Sequence, residues 1–308
     1  MYARPLRMSE MLPIALVQAA PRLFDTGATL EIVRQRLAEA ARSGAALVVF
    51  PEAFLGGYPK GHDFGARVGS RSAEGREWFA RYHAAAVDRA GPEISAVQEA
   101  VREAQVWCVL GLIERAGGTL FCVAATFGPD GSVRAWRRKL VPTAMERLIW
   151  GAGGAADLAC AETPWGTMAA TICWENYMPL LRQHWYEAGV ALYCAPTVDD
   201  REAWLASMRM IALEGRCFVL SACQYLERCH APGDFHPVQG EEPGTVLIRG
   251  GSCVIGPLGE VLAGPVYGEE AIVVAELDLA AIPRGKFDLD VAGHYARPDL
   301  LRLIRAGG

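Results

Sequence analysis

No stretch of this chain approaches the roughly 20 consecutive apolar residues that span a bilayer, so a membrane-embedded role is not expected. Blocks of like charge are missing too. A net charge of −5 and an isoelectric point near 5.8 leave no basic footprint for nucleic acid. Histidines number only six, and no two of the nine cysteines have the Cys-x-x-Cys spacing of a structural zinc site. No low-complexity tract, internal repeat or linker divides the sequence, so residues 1–308 are expected to form a single domain. These absences leave a small molecule as the expected partner, with no metal and no cofactor.

What is present is a core-forming chain, 52% apolar and 21% charged over 308 residues. Short β-rich runs alternate with segments of helical period. Ile14–Gln18 reads as a strand, Ala28–Arg42 as an amphipathic helix and Ala46–Phe50 as a buried strand. Leu30, Val33 and Leu37 mark the helix face, and Ser43-Gly44 supplies its stop. Further helices are expected over Ser72–Asp88, from Pro92, over Tyr177–Glu187 and over Asp200–Glu214. Strands are expected at Val106–Glu114, Leu120–Phe127, Ser132–Lys139, Thr167–Ile172, Val190–Cys194 and Cys217–Tyr225, with a hairpin turn at Pro129-Asp130-Gly131. After a Gly-, Pro- and His-rich loop, Gly251–Ile255, Glu260–Ala263 and Ala271–Asp278 read as a meander. A βαβ opening combined with hairpins predicts an α/β protein with mixed sheets covered by helices.

Cysteine usage fits a reducing, cytoplasmic setting. The count is odd, and Cys108, Cys122 and Cys217 sit in apolar runs as small core hydrophobes. Arg4 and Arg7 precede the apolar stretch Met11–Ala20, but Glu10 and Pro13 interrupt it, so it reads as a strand and not as a leader.

Three polar residues stand where a strand gives out: Glu52 after Leu47–Pro51, Lys139 after Val133–Arg138, and Cys173 after Met168–Ile172. Ligands of α/β sheets gather beyond the carboxyl ends of strands, so one carboxylate, one cation and one thiol can converge there. Cys173 is followed by Trp174-Glu175-Asn176, a helix-entry sequence, and a helix N-terminus is expected to lower its thiol pKa. Glu52, covered by the loop Gly56–Gly61, is a candidate general base with a raised pKa. Lys139 needs burial beside a carboxylate to serve as a charged donor, and Glu146 is a possible second carboxylate. Each has a bland alternative: a structural thiol, the first solvated residue after a strand, a solvated strand end. His62, His83 and His184 lie in no segment that can be placed beside Cys173.

The segments Phe50–Phe54 with Gly56–Gly61, Arg138–Thr143 with Glu146–Leu148 and Trp150-Gly151, Ile172–Leu180, and Gly293–Asp299 resemble, in this order, the four motifs of the nitrilase branch of the carbon–nitrogen hydrolases. The resemblance implies a four-layer αββα sandwich, assembled as a homodimer or higher homo-oligomer. It implies a nitrilase that converts an organic nitrile to the carboxylic acid and ammonia through a cysteine thioimidate and thioester. Cys173 would be the nucleophile and Glu52 the base, with Lys139 and the backbone N–H of Trp174 stabilising charge. Glu146 would orient the other groups, Tyr58 would line the pocket, and His294 would have a structural or assembly role.

The alternative within the same superfamily is an amidase or N-carbamoyl hydrolase, which uses the same residues on an amide bond. A cyanide-hydrating enzyme and a catalytically silent scaffold are more distant readings. A dinucleotide loop at Gly151–Ala156 lacks the required strand before it and helix after it. Arg137, the stretch Gly153–Ala156 and Cys223 depart from the usual pattern, and the chain has no long tail after Asp299.

Overall fold

The computed structural model describes residues 11–304, so Arg4, Arg7 and Glu10 lie outside the described residues. The chain opens with β1 (Met11–Gln18), α1 (Thr26–Arg42) and β2 (Leu47–Val49), and the two strands pair in parallel as the βαβ pattern predicts. Asp25 caps α1 by accepting the Ala28 N–H at 2.9 Å. A small hairpin, β3 (Ala66–Arg67) and β4 (Ser70–Arg71), precedes α2 (Ala73–Ala85) and α3 (Pro92–Ala104). Then come β5 (Trp107–Ala116), β6 (Thr119–Phe127) and β7 (Val133–Arg138), an antiparallel run joined at its second turn by the expected Pro129-Asp130-Gly131.

The second half begins with β8 (Ala161–Thr163) and β9 (Gly166–Ala170). It continues through α4 (Pro179–Glu187), β10 (Val190–Cys194), α5 (Glu202–Gly215) and β11 (Phe218–Ser221), with β9, β10 and β11 parallel. It closes with β12 (Tyr225–Glu227), β13 (Val246–Ile255), β14 (Val261–Tyr267), β15 (Ala271–Asp278) and α6 (Ala281–Gly285).

Two mixed sheets result. One has the order β15-β1-β2-β5-β6-β7; the other runs β12-β13-β11-β10-β9-β8, with β14 added beside β13. The period of two along β1 explains how they stack. Leu12, Ile14 and Leu16 enter a core shared with Met168, Leu192 and Leu220 of the other sheet. Ala15 and Val17 point the opposite way, into a second core with Val33 and Leu37 of α1 and Val97 of α3. A third core joins Tyr193 and Val219 to Trp185 of α4 and Met208 of α5. Helices, sheet, sheet, helices: this is the four-layer αββα sandwich.

Three expectations need correction. The last three strands are not one meander, because β15 leaves β14 and pairs antiparallel with β1 over eight residues in the first sheet. The expected strand Cys217–Tyr225 is two strands, β11 and β12, broken at Ala222–Gln224. The helix expected from Tyr177 starts at Pro179, behind a separate 3-10 turn over Cys173–Tyr177. Proline at a first helical position costs no hydrogen bond, which explains that start.

Candidate active site

Glu52 leaves the end of β2 and is wholly buried. Its approach depends on Gly111 of β5, where a Cβ would lie 2.0 Å from the Pro51 carbonyl oxygen and 2.7 Å from the Glu52 Cα. Lys139, also wholly buried, follows β7 and donates its backbone N–H to the Cys122 carbonyl at 2.7 Å. Its ammonium lies between two carboxylates, 2.6 Å from Glu52 Oε1 and 2.8 Å from Glu146 Oε2. Glu146 sits on a 3-10 turn, Ala144–Leu148. It takes the Thr143 N–H at 2.6 Å on one oxygen and the Tyr58 hydroxyl at 2.8 Å on the other. The Tyr58 ring in turn packs edge-on against Trp150.

Cys173 begins the turn after β9 with φ +48, a left-handed conformation in a non-glycine residue. Its N–H donates to the Pro196 carbonyl at 2.9 Å, and its sulfur accepts the Thr197 hydroxyl at 3.4 Å. Asn176 Nδ2 holds the Cys173 carbonyl at 2.7 Å and the Thr171 carbonyl at 2.9 Å. The backbone N–H of Trp174 stands ahead of the turn's own ladder, whose first bond runs from Glu175 N to Ile172 O. The Trp174 indole is half-exposed, donates to Asp199 Oδ2 at 2.8 Å and lies under the Arg201 guanidinium.

Electrostatics follow from burial. Desolvation is the largest influence on Glu52 and raises its pKa; the Lys139 charge lowers it, Glu146 raises it, and hydrogen bonding from Lys139 and Cys173 lowers it. The net result is a raised value, as the sequence led us to expect. Glu52 Oε1 is engaged by Lys139 and, at 3.7 Å, by the Cys122 thiol, whereas Oε2 has no hydrogen-bond partner of ordinary length among the described residues. Burial disfavours the Lys139 charge, but Glu52, Cys173 and Glu146 outweigh it and hold the ammonium protonated.

The Cys173 thiol runs against expectation. Its pKa is pushed up, first by burial and then by Glu52, with Lys139 and Thr197 only partly opposing. The five-residue 3-10 turn that it starts carries little dipole, and the sulfur is desolvated beside a carboxylate. A thiol in this setting needs a base within the site to become nucleophilic.

Thus Glu52, Lys139, Glu146 and Tyr58 form one connected network, and Thr197 engages the Cys173 sulfur. The sequence reading missed Glu175, Thr197, Gln224 and Gly111. Gln224 Nε2 supports the Glu52 carbonyl at 2.7 Å. Cys122 is core, as expected, yet also touches Glu52. The Gly151–Ala156 stretch has a backbone role: a Cβ on Gly153 would lie 2.7 Å from the Arg138 carbonyl, and Gly153 N–H bonds the Lys139 carbonyl at 2.8 Å. Met145 and Leu148, flanking Glu146, line a cavity of about 690 Å³ together with Phe64 and Phe79.

The histidines lie elsewhere. His62 packs among Phe64, Trp78 and Phe235, and His83 bonds the Gly117 carbonyl. Glu227, Cys229 and His230 cluster within 4.8 Å of one another, but they are engaged locally. Tyr225 donates to Glu227, and the Glu227 N–H bonds His230 Nδ1.

A family profile described as "Carbon-nitrogen hydrolase" matches residues 13–286. An "Aliphatic nitrilase" of Sinorhizobium fredii (strain HH103) is 53% identical over 290 residues, covering 94% of each chain. An "Arylacetonitrilase" of Trametes versicolor (strain FP-101664) is 48% identical over 309 residues, covering 95% of this chain and 96% of its own. Among solved structures, Saccharomyces cerevisiae Nit3, a member of branch 10 of the nitrilase superfamily, superposes with a TM-score of 0.72. It does so at 18% identity, over 94% of this chain and 97% of its own.

Proposed function

The chain belongs to the carbon–nitrogen hydrolase family, and on that premise we propose that it is a nitrilase, converting an organic nitrile to the carboxylic acid and ammonia with Cys173 as nucleophile. One observation supports the residue roles most directly. A buried ammonium, Lys139, is clamped between Glu52 and Glu146, and the thiol beside them is too desolvated to ionise without a base.

Glu52 accepts the thiol proton through Oε2 as the sulfur adds to the nitrile carbon. The proton passes on to nitrogen, one C–N π bond is lost, and a thioimidate forms. Lys139 and the Trp174 N–H face the charge that develops on nitrogen; removing one such donor typically costs about 3–4 kcal/mol of barrier. Water deprotonated by Glu52 then adds, the C–N bond breaks, ammonia leaves and a thioester remains. A second water cleaves the C–S bond, releasing the acid and restoring the thiol. Glu146 and Tyr58 hold Lys139 in line through their hydrogen bonds.

Phe64, Phe79, Met145 and Leu148, which line the cavity together with Arg67, Arg71 and Arg76, support an organic substituent on the nitrile. The pairing of the last strand with the first supports treating residues 11–304 as one domain. Free buried thiols such as Cys108, Cys194 and Cys253 support a reducing, cytoplasmic location. Family membership supports assembly of identical subunits, which light scattering of the purified chain checks.

The test of the reaction is a matched panel of nitriles and their amides assayed for ammonia and acid. Release from nitriles is the expected result. Turnover of the amides alone overturns the nitrilase reading in favour of an amidase.

A further inference from the structure

We propose that Thr197 is a catalytic residue of this chain: its hydroxyl donates to the Cys173 sulfur, directs the thiol proton toward Glu52 and stabilises the thiolate as it forms. The inference rests on Cys173 being the nucleophile and goes beyond the glutamate, lysine and cysteine of the proposed mechanism.

The contacts around the hydroxyl place it as a donor to the sulfur. Thr197 follows β10 on the strand extension Ala195-Pro196-Thr197 and is wholly buried. Its position is fixed by its own N–H, which bonds the Ala222 carbonyl at 2.9 Å, and by Pro196, whose carbonyl takes the Cys173 N–H at 2.9 Å. Backbone and side chain of Cys173 are therefore held by two consecutive residues of one segment. Thr197 Oγ1 accepts the backbone N–H of Asp199 at 2.9 Å. A hydroxyl has one proton and two lone pairs, and an N–H can only donate. The Asp199 N–H does not compete for the Thr197 proton, and in the contact with the sulfur, 3.4 Å away, the hydroxyl is the donor.

A sulfur that receives a proton donor at this contact must direct its own proton elsewhere. Glu52 Oε2, the proposed base, has no other partner among the described residues. Thr197 thereby sets the direction of the first proton transfer. Once the thiol proton has gone, the same O–H faces a buried sulfur anion, where a charge-assisted hydrogen bond is strongest. Burial raises the Cys173 pKa and the Thr197 hydrogen bond lowers it, which agrees with this role.

Asp199 extends the strap by one more contact. Its carboxylate takes the Trp174 indole N–H at 2.8 Å and is held by Arg201 Nε at 2.8 Å. Residues 197 and 199 thus grip residues 173 and 174 in turn.

The experiment compares wild type with Thr197→Val, Thr197→Ser and Cys173→Ala. It measures the rate of Cys173 alkylation by iodoacetamide (read at the Cys173 peptide by mass spectrometry), ammonia release from a nitrile and the thermal midpoint. Thr197→Val is expected to slow alkylation and kcat by roughly 10- to 100-fold at neutral pH, the range for losing a hydrogen bond to a charged group. It also shifts the alkylation pH profile upward. Thr197→Ser is expected to stay within about threefold of wild type, a small change on the scale where tenfold is one pKa unit. Should Thr197→Val fail to fold, Thr197→Ala removes the same hydroxyl and carries the same comparison.

Alkylation of Thr197→Val at the wild-type rate and with the wild-type pH profile overturns the proposal, as does a Thr197→Ser variant as impaired as Thr197→Val. Cys173→Ala separates the two readings: if that variant still releases ammonia, the nucleophile assignment fails. If it is inactive while Thr197→Val behaves as wild type, only the role of Thr197 fails.

Discussion

Arg137 and Glu175 form a bidentate ion pair, 2.7 Å at both contacts, with neither side chain more than 1% exposed. Arg137 lies two residues before Lys139, and Glu175 two residues after Cys173. The same carboxylate accepts the N–H of Leu140, the residue after Lys139, at 2.6 Å, and that of Ile172, the residue before Cys173, at 2.9 Å. One buried side chain thus ties the strand end bearing the ammonium to the turn bearing the thiol. Arg137, which the resemblance led us to expect as a departure from the usual pattern, has a fully buried partner here.

Glu175→Gln keeps the shape of that side chain but leaves the Arg137 charge buried and uncompensated. Breaking a buried pair in this way typically costs about 3–5 kcal/mol. Denaturant unfolding of the variant measures it, and a loss below about 1 kcal/mol would show that the pair is not what locks the two segments.

Cys173→Ala is expected to abolish ammonia release while leaving the protein folded. Alanine fits any site that holds cysteine and keeps the backbone bond of residue 173 to Pro196; the Thr197 hydroxyl loses the sulfur as its acceptor, a cost of about 1–3 kcal/mol. Turnover near the wild-type rate would refute the nucleophile.

Glu52→Gln removes the proposed base without changing its volume. No thioimidate or thioester mass adduct is expected to accumulate on mixing with a nitrile. An adduct formed at the normal rate, seen by intact-protein mass spectrometry, counts against Glu52 as the group that takes the thiol proton.

The pH dependence follows from the sign of the shifts. Burial raises Glu52 above the ordinary 4.5, so its basic form is lost at a higher pH than for an exposed glutamate. The acid limb of kcat/KM is expected to have its midpoint above that value. Lys139 is held charged well above the ordinary 10.5, so no alkaline limb is expected from it within the ordinary lysine range. An acid midpoint at or below 4.5 contradicts the assignment.

Gly111→Ala tests the backbone approach that seats Glu52. The new methyl would meet the Pro51 carbonyl at 2.0 Å, so strand or base must shift. Overpacking of this kind costs about 1–3 kcal/mol, and kcat is expected to fall with it. Gly118→Ala, which meets nothing within 4 Å, is the matched control. Equal behaviour of the two variants would remove Gly111 from the account.

Much of this was legible in the chain itself. Apolar runs of period two and helical segments gave the order of elements, because side-chain alternation is local and survives any tertiary context. Glu52, Lys139 and Cys173 stood out for a related reason: each is a polar residue standing where a strand gives out, and the surrounding motifs carry the family resemblance. The crossover of β15 to pair with β1 was not legible, since nothing in eight alternating residues says which distant strand edge they will meet. Thr197, Glu175 and Gly111 were hidden for the same reason, as their importance lies in what faces them across two strand junctions.

The sequence by itself determined the residue types, their order and the local elements that present them. Only the tertiary structure decided the ionisation of the site. An isolated reading of Cys173 at a helix entry points to a lowered pKa; burial beside Glu52 reverses it. Desolvation and Coulomb interaction depend on distances between segments more than 80 residues apart, such as the contact of Glu52 with Lys139, and those distances exist only once the sheets have packed.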